Sequence, residues 1–288
     1  MTASYAFLPW LRQGLAGGIT RADGEATPAP RAAVDVTVVV GAGGEQRPVT
    51  TNLSLFGPGE VAAIDPRAVV RVAPKPGELD AEPNELPMVE FAEPDLPWRF
   101  TAASAGAHDR LRPWLVLCVL TADEITEEAP AGADGRLPAV TIASAAALPR
   151  LDQSWAWAHA QVAGYDPASE TLAGIVDSQP ARARSRLLAP RHLSPHTEYT
   201  ALLVPAFERG RLAGLREPVP DTVDSLAPAW ADGATAVRLP VYYRWSFQTG
   251  DQADFEQLAR RLSGAEEDTE GLRVGLQQYR RLFGSLSK

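Results

Sequence analysis

The sequence contains almost no cysteine: Cys118 is the one cysteine among 288 residues. A single thiol cannot form an internal disulfide, so a disulfide-stapled scaffold is excluded and folding in a reducing compartment is expected. Cys118 lies in the apolar run of residues 114–120. We predict that it is a small buried hydrophobic side chain there.

Long hydrophobic segments are also missing. No apolar run approaches the roughly 20 residues that a membrane helix needs. The first twelve residues have no basic region, and Pro9 interrupts their short apolar stretch, so no secretion signal is predicted. We therefore expect a cytoplasmic protein that does not contact membranes.

Basic charge is scarce relative to acidic charge. Lys and Arg number 27 against 36 Asp and Glu, which gives a net charge of −9. Phosphate backbones require clustered cations, and anionic membranes repel an acidic surface. Neither nucleic acid nor a membrane is therefore predicted as a partner.

Motifs that carry chemistry are few. The Gly-x-Ser-x-Gly nucleophile elbow does not occur. Residues 38–44 run from valines into glycines, as a dinucleotide turn does, but a strand pattern follows where the pyrophosphate would need a helix N-terminus. We predict a glycine hairpin loop at this position and no cofactor.

Histidine is scarce too, with four in the chain. His192 and His196 are four residues apart, but Pro195 argues against a continuous helix, and no acid lies between Asp177 and Glu198. Zinc sites need three or four ligands. The sequence thus predicts no metal site and no catalytic centre, and hence a protein that is not an enzyme.

What the sequence has in abundance is the alternation of apolar and polar residues that is typical of half-buried strands. Such patterns occur at residues 34–40, 49–55, 69–72 and 199–204. The continuous apolar run 114–120 predicts a strand that is buried on both faces.

Two further stretches alternate in the same way. Residues 155–162 place Trp155 and Trp157 on one side of a predicted strand. Residues 237–247 predict one long strand, and Pro240 places it at a sheet edge or at a bulge because proline cannot donate to the ladder.

The N-terminal segment and a proline-rich stretch resemble docking elements. In residues 5–19, Phe7, Trp10 and Leu11 fall near helical spacing, which predicts an amphipathic docking segment. Residues 74–97 hold six prolines and seven acids. They predict a connecting arm, with a solvated acidic loop as the simplest interpretation and at most a short strand at Met88–Phe91.

The C-terminal region predicts a helical pair, at residues 251–264 and 269–286. The second helix has a heptad seam formed by Leu272, Leu276, Tyr279, Phe283 and Leu286. Because an isolated helix of this length is marginal in water, the seam must dock on the parent domain or on a partner.

The predicted fold class is α+β and β-rich, with mixed or antiparallel sheets, a few short helices and the C-terminal helical pair. Residues 1–265 would form one domain and residues 266–288 a helical tail.

A basic stretch is the remaining candidate contact site. Arg182, Arg184 and Arg186 stand in a segment without acids. They could bind phosphate, complement an acidic surface such as the 78–95 arm of a neighbouring copy, or form an ordinary solvated strand face.

Several blocks together resemble a largely uncharacterised bacterial family associated with phage-tail-like contractile injection systems. The blocks are Phe7-Leu-Pro-Trp-Leu-Arg12, Val89-Glu-Phe91, Pro94-Asp-Leu-Pro-Trp-Arg99, Leu111-Arg-Pro-Trp-Leu-Val-Leu117, Gln153-Ser-Trp-Ala-Trp-Ala-His159, Leu239-Pro-Val-Tyr-Tyr-Arg-Trp-Ser-Phe247, Thr249-Gly-Asp251 and Asp254-Phe-Glu256.

The resemblance implies a structural component of the particle, with a cap or terminal adaptor as the first expectation and a baseplate position as another. Its partners would be sheath, tube, cap or baseplate subunits, and it would form a homo-oligomer or ring. The alternative is a small-ligand or carbohydrate-binding protein, whose pocket would be lined by Trp155, Trp157, Tyr243 and Trp245.

Overall fold

The computed structural model describes residues 4–22, 29–42, 45–133 and 135–251. The chain divides into two compact units, Met1–Gly250 and Asp251–Lys288. The fold described below is that of the first unit. Both predicted C-terminal helices, including the seam from Leu272 to Leu286, lie outside the described residues, so the helical pair and the domain boundary at residue 265 stay predictions.

Strands dominate the described residues. The thirteen strands are β1 Tyr5–Leu8, β2 Ala33–Ala42, β3 Glu45–Ser54, β4 Val69–Ala73, β5 Met88–Phe91, β6 Leu115–Leu120, β7 Ile125–Ala129, β8 Ala139–Ser144, β9 Ala158–Ala163, β10 Ala183–Leu188, β11 Glu198–Pro205, β12 Thr235–Pro240 and β13 Tyr243–Gln248. The α-helices in the same residues are short: α1 Leu172–Ser178 and α2 Glu208–Gly214.

These strands form four antiparallel sheets. The five-stranded sheet has the order β1-β9-β10-β5-β4, two three-stranded sheets have the orders β13-β11-β6 and β12-β8-β7, and β2 pairs with β3. The predicted β-rich α+β class is therefore confirmed, with antiparallel sheets and short helices.

The sheet β13-β11-β6 lies between two hydrophobic cores. The prediction that residues 114–120 form a strand buried on both faces is confirmed, because all six residues of β6 are buried. Leu115, Leu117 and Val119 contribute to one core, which also includes the inner side of the five-stranded sheet. The alternate residues Val116, Cys118 and Leu120 contribute to the other, with β8 and β12.

Two buried tryptophans connect the segment before β6 to the turn at Leu96–Trp98. The Trp98 indole donates to the carbonyl of Leu111 at 3.2 Å, and the Trp114 indole donates to the carbonyl of Leu96 at 2.7 Å. Neither ring is exposed to solvent. Each indole therefore has the hydrogen-bond partner that a buried tryptophan requires.

The prediction of helical spacing in residues 5–19 is wrong. Residues 5–8 form the edge strand β1, and a 3-10 helix follows at Gly14–Gly18. Pro9 comes directly after the strand. Pairing of β1 with β9, 154 positions further along the chain at Phe7 and Gln161, overrides the local helical pattern.

Backbone hydrogen bonds attach part of the acidic stretch 74–97 to the fold, although residues 75–77 and 84–86 are exposed. The amides of Gly77 and Ala81 donate to carbonyls of Ser246 and Gln248 at 2.8 and 3.0 Å, so this segment covers the outer edge of β13. The short strand at Met88–Phe91 is confirmed as β5, and it lies between β4 and β10. The six prolines of the stretch 74–97 occur in the segments before and after β5, where their missing amides remove no hydrogen bond of the sheet.

Two predicted strands have different boundaries from those expected. Trp155 and Trp157 belong to a 3-10 helix at Leu151–Trp157, and the strand starts only at Ala158. The predicted single strand 237–247 is two strands, β12 and β13, which belong to different sheets. Pro240 does end an edge strand, as its missing donor predicted.

Candidate functional site

The outer side of the five-stranded sheet is a candidate interaction surface. Along β9 and β10, every second residue is buried against the core and the residues between them are half-buried. This alternation turns His159, Arg184 and Arg186 outward, and Phe7 and Glu90 lie on the same side in the neighbouring strands. We call this surface the sheet face.

Side chains of the sheet face lie next to one another across four strands, β1, β9, β10 and β5. The Phe7 and His159 rings meet edge to face, with centroids 5.6 Å apart. His159 lies opposite Arg186 in the register. Arg186 in turn forms an ion pair with Glu90 at 2.6 Å, and their side chains are 22 % and 13 % exposed. The partner of Arg186 is thus an acid of the 78–95 segment in the same chain.

The end of the sheet face at β1 is apolar, and its aromatic rings are partly exposed in the described residues. Phe7 is 49 % exposed and Tyr5 39 % exposed, and both belong to the edge strand β1. Arg186 and Glu90 are paired with each other, whereas the aromatic rings are open to solvent. Exposed aromatic rings beside satisfied polar groups are typical of binding surfaces.

Burial affects the protonation of His159. Desolvation, reinforced by the charge of Arg186 and opposed by Glu90, lowers the pKa of His159 to about 4. The unfolded chain would titrate near pH 6.5. Between these values the unfolded chain takes up a proton that the folded chain does not, so stability falls as the pH falls.

We therefore expect His159→Gln to reduce the acid sensitivity of folding. Between pH 7 and pH 5 the wild-type free energy of unfolding should fall by about 1 to 2 kcal/mol more than that of the variant, allowing for the partial exposure of the ring. Urea denaturation at the two pH values measures this difference. Between pH 7 and 8 the two proteins should change in parallel, and parallel behaviour down to pH 5 would contradict the prediction.

Of the other residues predicted as interface contacts, those that the structure describes do not lie on the sheet face. The Trp10 indole donates to Asp109 at 2.6 Å, and Leu11 is buried in the core of its own chain. Arg182 forms an ion pair with Glu170 at 2.6 Å. The structure thus brings together Phe7, Arg184 and Arg186. Leu272, Leu276, Tyr279, Phe283 and Leu286 lie outside the described residues.

A second surface is the hairpin of β2 and β3, which we call the hairpin arm. Its strands are those predicted at 34–40 and 49–55, and the glycines predicted as its loop, residues 43 and 44, stand between them outside the described residues. The prediction of half-buried strands is wrong for β3, all of which is exposed.

The hairpin arm is amphipathic. One side carries Asp35 hydrogen-bonded to Asn52 and Thr37 to Thr50, each at 2.8 Å. The other side is mainly apolar, with Glu45 and Arg47 near the loop. At its base Val34 is buried against Ile19, Ala32 and Ala102, whereas further out Val38, Val40 and Val49 are 53 to 55 % exposed.

Sequence reasoning did not identify this apolar side as a candidate surface. The signal was present, because the even-numbered valines of β2 and Val49 of β3 share one side when the two strands pair around a short loop. The alternation predicted a buried side, and only the structure shows that nothing in the described residues covers its outer half.

A cleft of about 280 Å³ lies beside β6, and Glu124, Pro149, Arg191 and His192 contribute to its walls. The Arg191 guanidinium forms an ion pair with Glu124 at 2.6 Å and donates to the Val119 carbonyl at 2.8 Å. The charges in the cleft therefore satisfy each other.

None of the four aromatic residues predicted to line a ligand pocket contributes to the walls of this cleft. Trp245 is buried in the core and donates to the carbonyl of Pro74 at 2.9 Å, with Tyr243 beside it at a ring distance of 6.1 Å. Trp155 stacks on Arg110 at 4.1 Å. Trp157 lines a separate small cavity with Leu187.

Within the described ranges, no group of three or more His, Cys, Asp or Glu side chains is arranged to hold a metal ion. The same part of the chain contains no helix of the length and hydrophobicity needed to cross a membrane. Comparison with protein-family models, with curated proteins and with solved structures found no match to this chain.

Proposed function

We propose that this chain is a structural subunit of a larger protein assembly, and that it works by binding other subunits rather than by catalysis. The sheet face carries this proposal. It combines exposed aromatic rings on an edge strand with the ion pair of Arg186 and Glu90, which is formed within the chain. Rings of this kind can be buried against a partner without leaving an unpaired charge.

The assembly is a phage-tail-like contractile particle, in which the chain is a cap or terminal adaptor that joins tube or sheath subunits. The support is the resemblance of the blocks between residues 7 and 256. Partners are then other structural subunits of the particle, the chain itself forms an oligomer or ring, and assembly takes place in the cytoplasm.

The blocks that carry the resemblance are mainly structural. Trp98 and Trp114 are buried with satisfied indoles, and Trp245 and Phe247 lie in the same core. These residues therefore support a shared fold. Phe7 also belongs to one of the blocks, but its side chain is exposed.

Fractionation of the particle by sedimentation, followed by mass spectrometry, tests this function. The cells would produce the chain together with a contractile assembly of this type. We expect the wild-type chain to sediment with the particle and Phe7→Glu to remain in the soluble fraction. Burying a carboxylate at an apolar contact is costly unless it is paired.

Leu15→Glu is the matched control, because Leu15 is 50 % exposed and Phe7 is 49 % exposed. Leu15 lies in the 3-10 helix at Gly14–Gly18 and not on the sheet face. This variant should sediment with the particle. Absence of the wild-type chain from the particle would overturn the proposed function, and normal sedimentation of Phe7→Glu would overturn the role of the sheet face.

A further inference from the structure

The hairpin arm is an incomplete sheet. Among the described residues, β2 and β3 pair only with each other over ten residues each, and beyond the base neither side is covered. A two-stranded hairpin is marginally stable in water, and three or more strands are usually needed for a stable sheet. An additional strand would therefore stabilise the arm.

The two outer edges of the arm are not equivalent. The amide of Leu55 donates to the Ala32 carbonyl at 2.8 Å, which makes residues 32 and 55 a hydrogen-bonded pair. Such pairs alternate with non-hydrogen-bonded pairs along an antiparallel ladder, so Val39 and Pro48 form a non-hydrogen-bonded pair. Their backbone groups therefore face outward, away from the opposite strand.

Pro48 consequently leaves the outer edge of β3 without a donor at its middle. Proline on an edge strand is a recognised way of blocking further pairing. The outward groups of β2 belong to residues 33, 35, 37, 39 and 41, and none of these is proline. Among the described residues, the edge of β2 is therefore open and the edge of β3 is blocked.

We infer that the open edge of β2 pairs with β2 of a second copy of this chain. Because the β3 edge is blocked, head-to-tail pairing of β2 with β3 is disfavoured, and the remaining pairing is β2 with β2. Antiparallel pairing of two identical edges has two-fold symmetry and closes at two copies. The product is a four-stranded sheet shared by two chains.

The charge of the arm suits a second copy as the occupant. The described strands of the arm contain only Asp35, Glu45 and Arg47 as charged residues, although the chain as a whole has a net charge of −9. Two copies therefore meet at the arm with little like-charge repulsion, in contrast to most other pairs of surfaces on an acidic protein.

A register centred on Val38 satisfies the side chains as well as the backbone. It places Val36 against Val40 of the second copy and Asp35 against Gly41 of the second copy, so no acid opposes an acid. The apolar sides of both arms then form one continuous surface, with the Val38 side chains meeting at the two-fold axis.

A pair of proline variants tests the pairing. Thr37 and Thr50 are opposite each other and share a hydrogen bond of 2.8 Å. The two threonines form a non-hydrogen-bonded pair, so their amides point outward and make no hydrogen bond between β2 and β3. Proline at either position therefore removes one outward amide and the hydroxyl contact, and keeps the hydrogen bonds between β2 and β3. The two variants differ only in which outer edge they alter.

Sedimentation velocity of the purified chain over a wide concentration range should show a species of twice 30.8 kDa. Thr37→Pro should weaken the dimer at least tenfold, or about 1.4 kcal/mol, and Thr50→Pro should leave it unchanged. Circular dichroism would establish that both variants are folded. A monomeric wild-type chain, or equal effects of the two variants, would overturn the inference.

Cysteine crosslinking provides a second measurement, because the native Cys118 is buried. Val38→Cys should form a covalent dimer under mild oxidation, since Cα atoms of a non-hydrogen-bonded pair are about 4.5 Å apart. Val49→Cys is the control: Val49 is 55 % exposed, close to the 53 % of Val38, but lies on the blocked strand. Equal crosslinking at both positions would contradict β2 pairing.

This inference goes beyond the proposed function and can fail independently of it. It concerns the purified chain alone and the hairpin arm, whereas the proposed function concerns the particle and the sheet face. A chain that sediments with the particle but is monomeric when purified would overturn only the β2 pairing. A dimer that is absent from the particle would overturn only the proposed function.

Discussion

Replacing Trp114 by alanine is expected to lower the free energy of unfolding by about 3 to 5 kcal/mol. The indole is not exposed and packs against Phe100, with ring centroids 5.0 Å apart, and Tyr242, at 5.8 Å. Its removal would leave a large cavity beside β6 and remove the hydrogen bond from the indole to the Leu96 carbonyl. Urea denaturation followed by far-ultraviolet circular dichroism measures the loss.

Two further variants separate packing from hydrogen bonding. Trp114→Phe keeps an aromatic ring but removes the indole donor, and we expect a smaller loss of about 1 to 3 kcal/mol. Trp155→Ala should cost about 1 kcal/mol, because Trp155 is half-buried and stacks on Arg110. Equal losses for Trp114→Ala and Trp155→Ala would contradict the assignment of Trp114 to the core.

The native Cys118 thiol is expected to resist modification. Cys118 is 1 % exposed, and burial raises the pKa of its thiol, so the reactive thiolate is scarce. We expect labelling by a disulfide reagent to be at least about a thousandfold slower in the native protein than in urea, because the reagent must wait for opening of the core.

Thr50→Cys supplies the comparison, because an exposed thiol on β3 should react without delay. The test is demanding since Cys118 contributes to the wall of the cleft of about 280 Å³. Fast labelling of Cys118 in native buffer would show that a reagent enters through this cleft. β6 would then be less protected than its burial indicates.

The strands whose pattern is local were predictable. The valine alternation of the hairpin arm and the apolar run at β6 each determine a strand from neighbouring residues alone. The break between β12 and β13 was not predictable, because the apolar alternation continues through Val241 and Tyr242 while the chain moves from one sheet to another.

The sheet face could be predicted only in part. Phe7 is predicted as a contact from an apparent helical spacing, and Arg184 and Arg186 from a basic stretch. The structure places all three on one side of one sheet. The pairing of Arg186 with Glu90 joins residues 96 positions apart. No local pattern contains such long-range pairing, because it depends on which strands become neighbours.

The pairing of β1 with β9 has a consequence for synthesis of the chain. The hydrogen bond from Ser4 to Tyr165, at the end of this pairing, joins residues 161 positions apart. At about 5 to 20 residues per second, a ribosome needs roughly 10 to 30 seconds to make the intervening chain. During that time the tyrosine and phenylalanine of β1 have no strand to pair with and are accessible to chaperones.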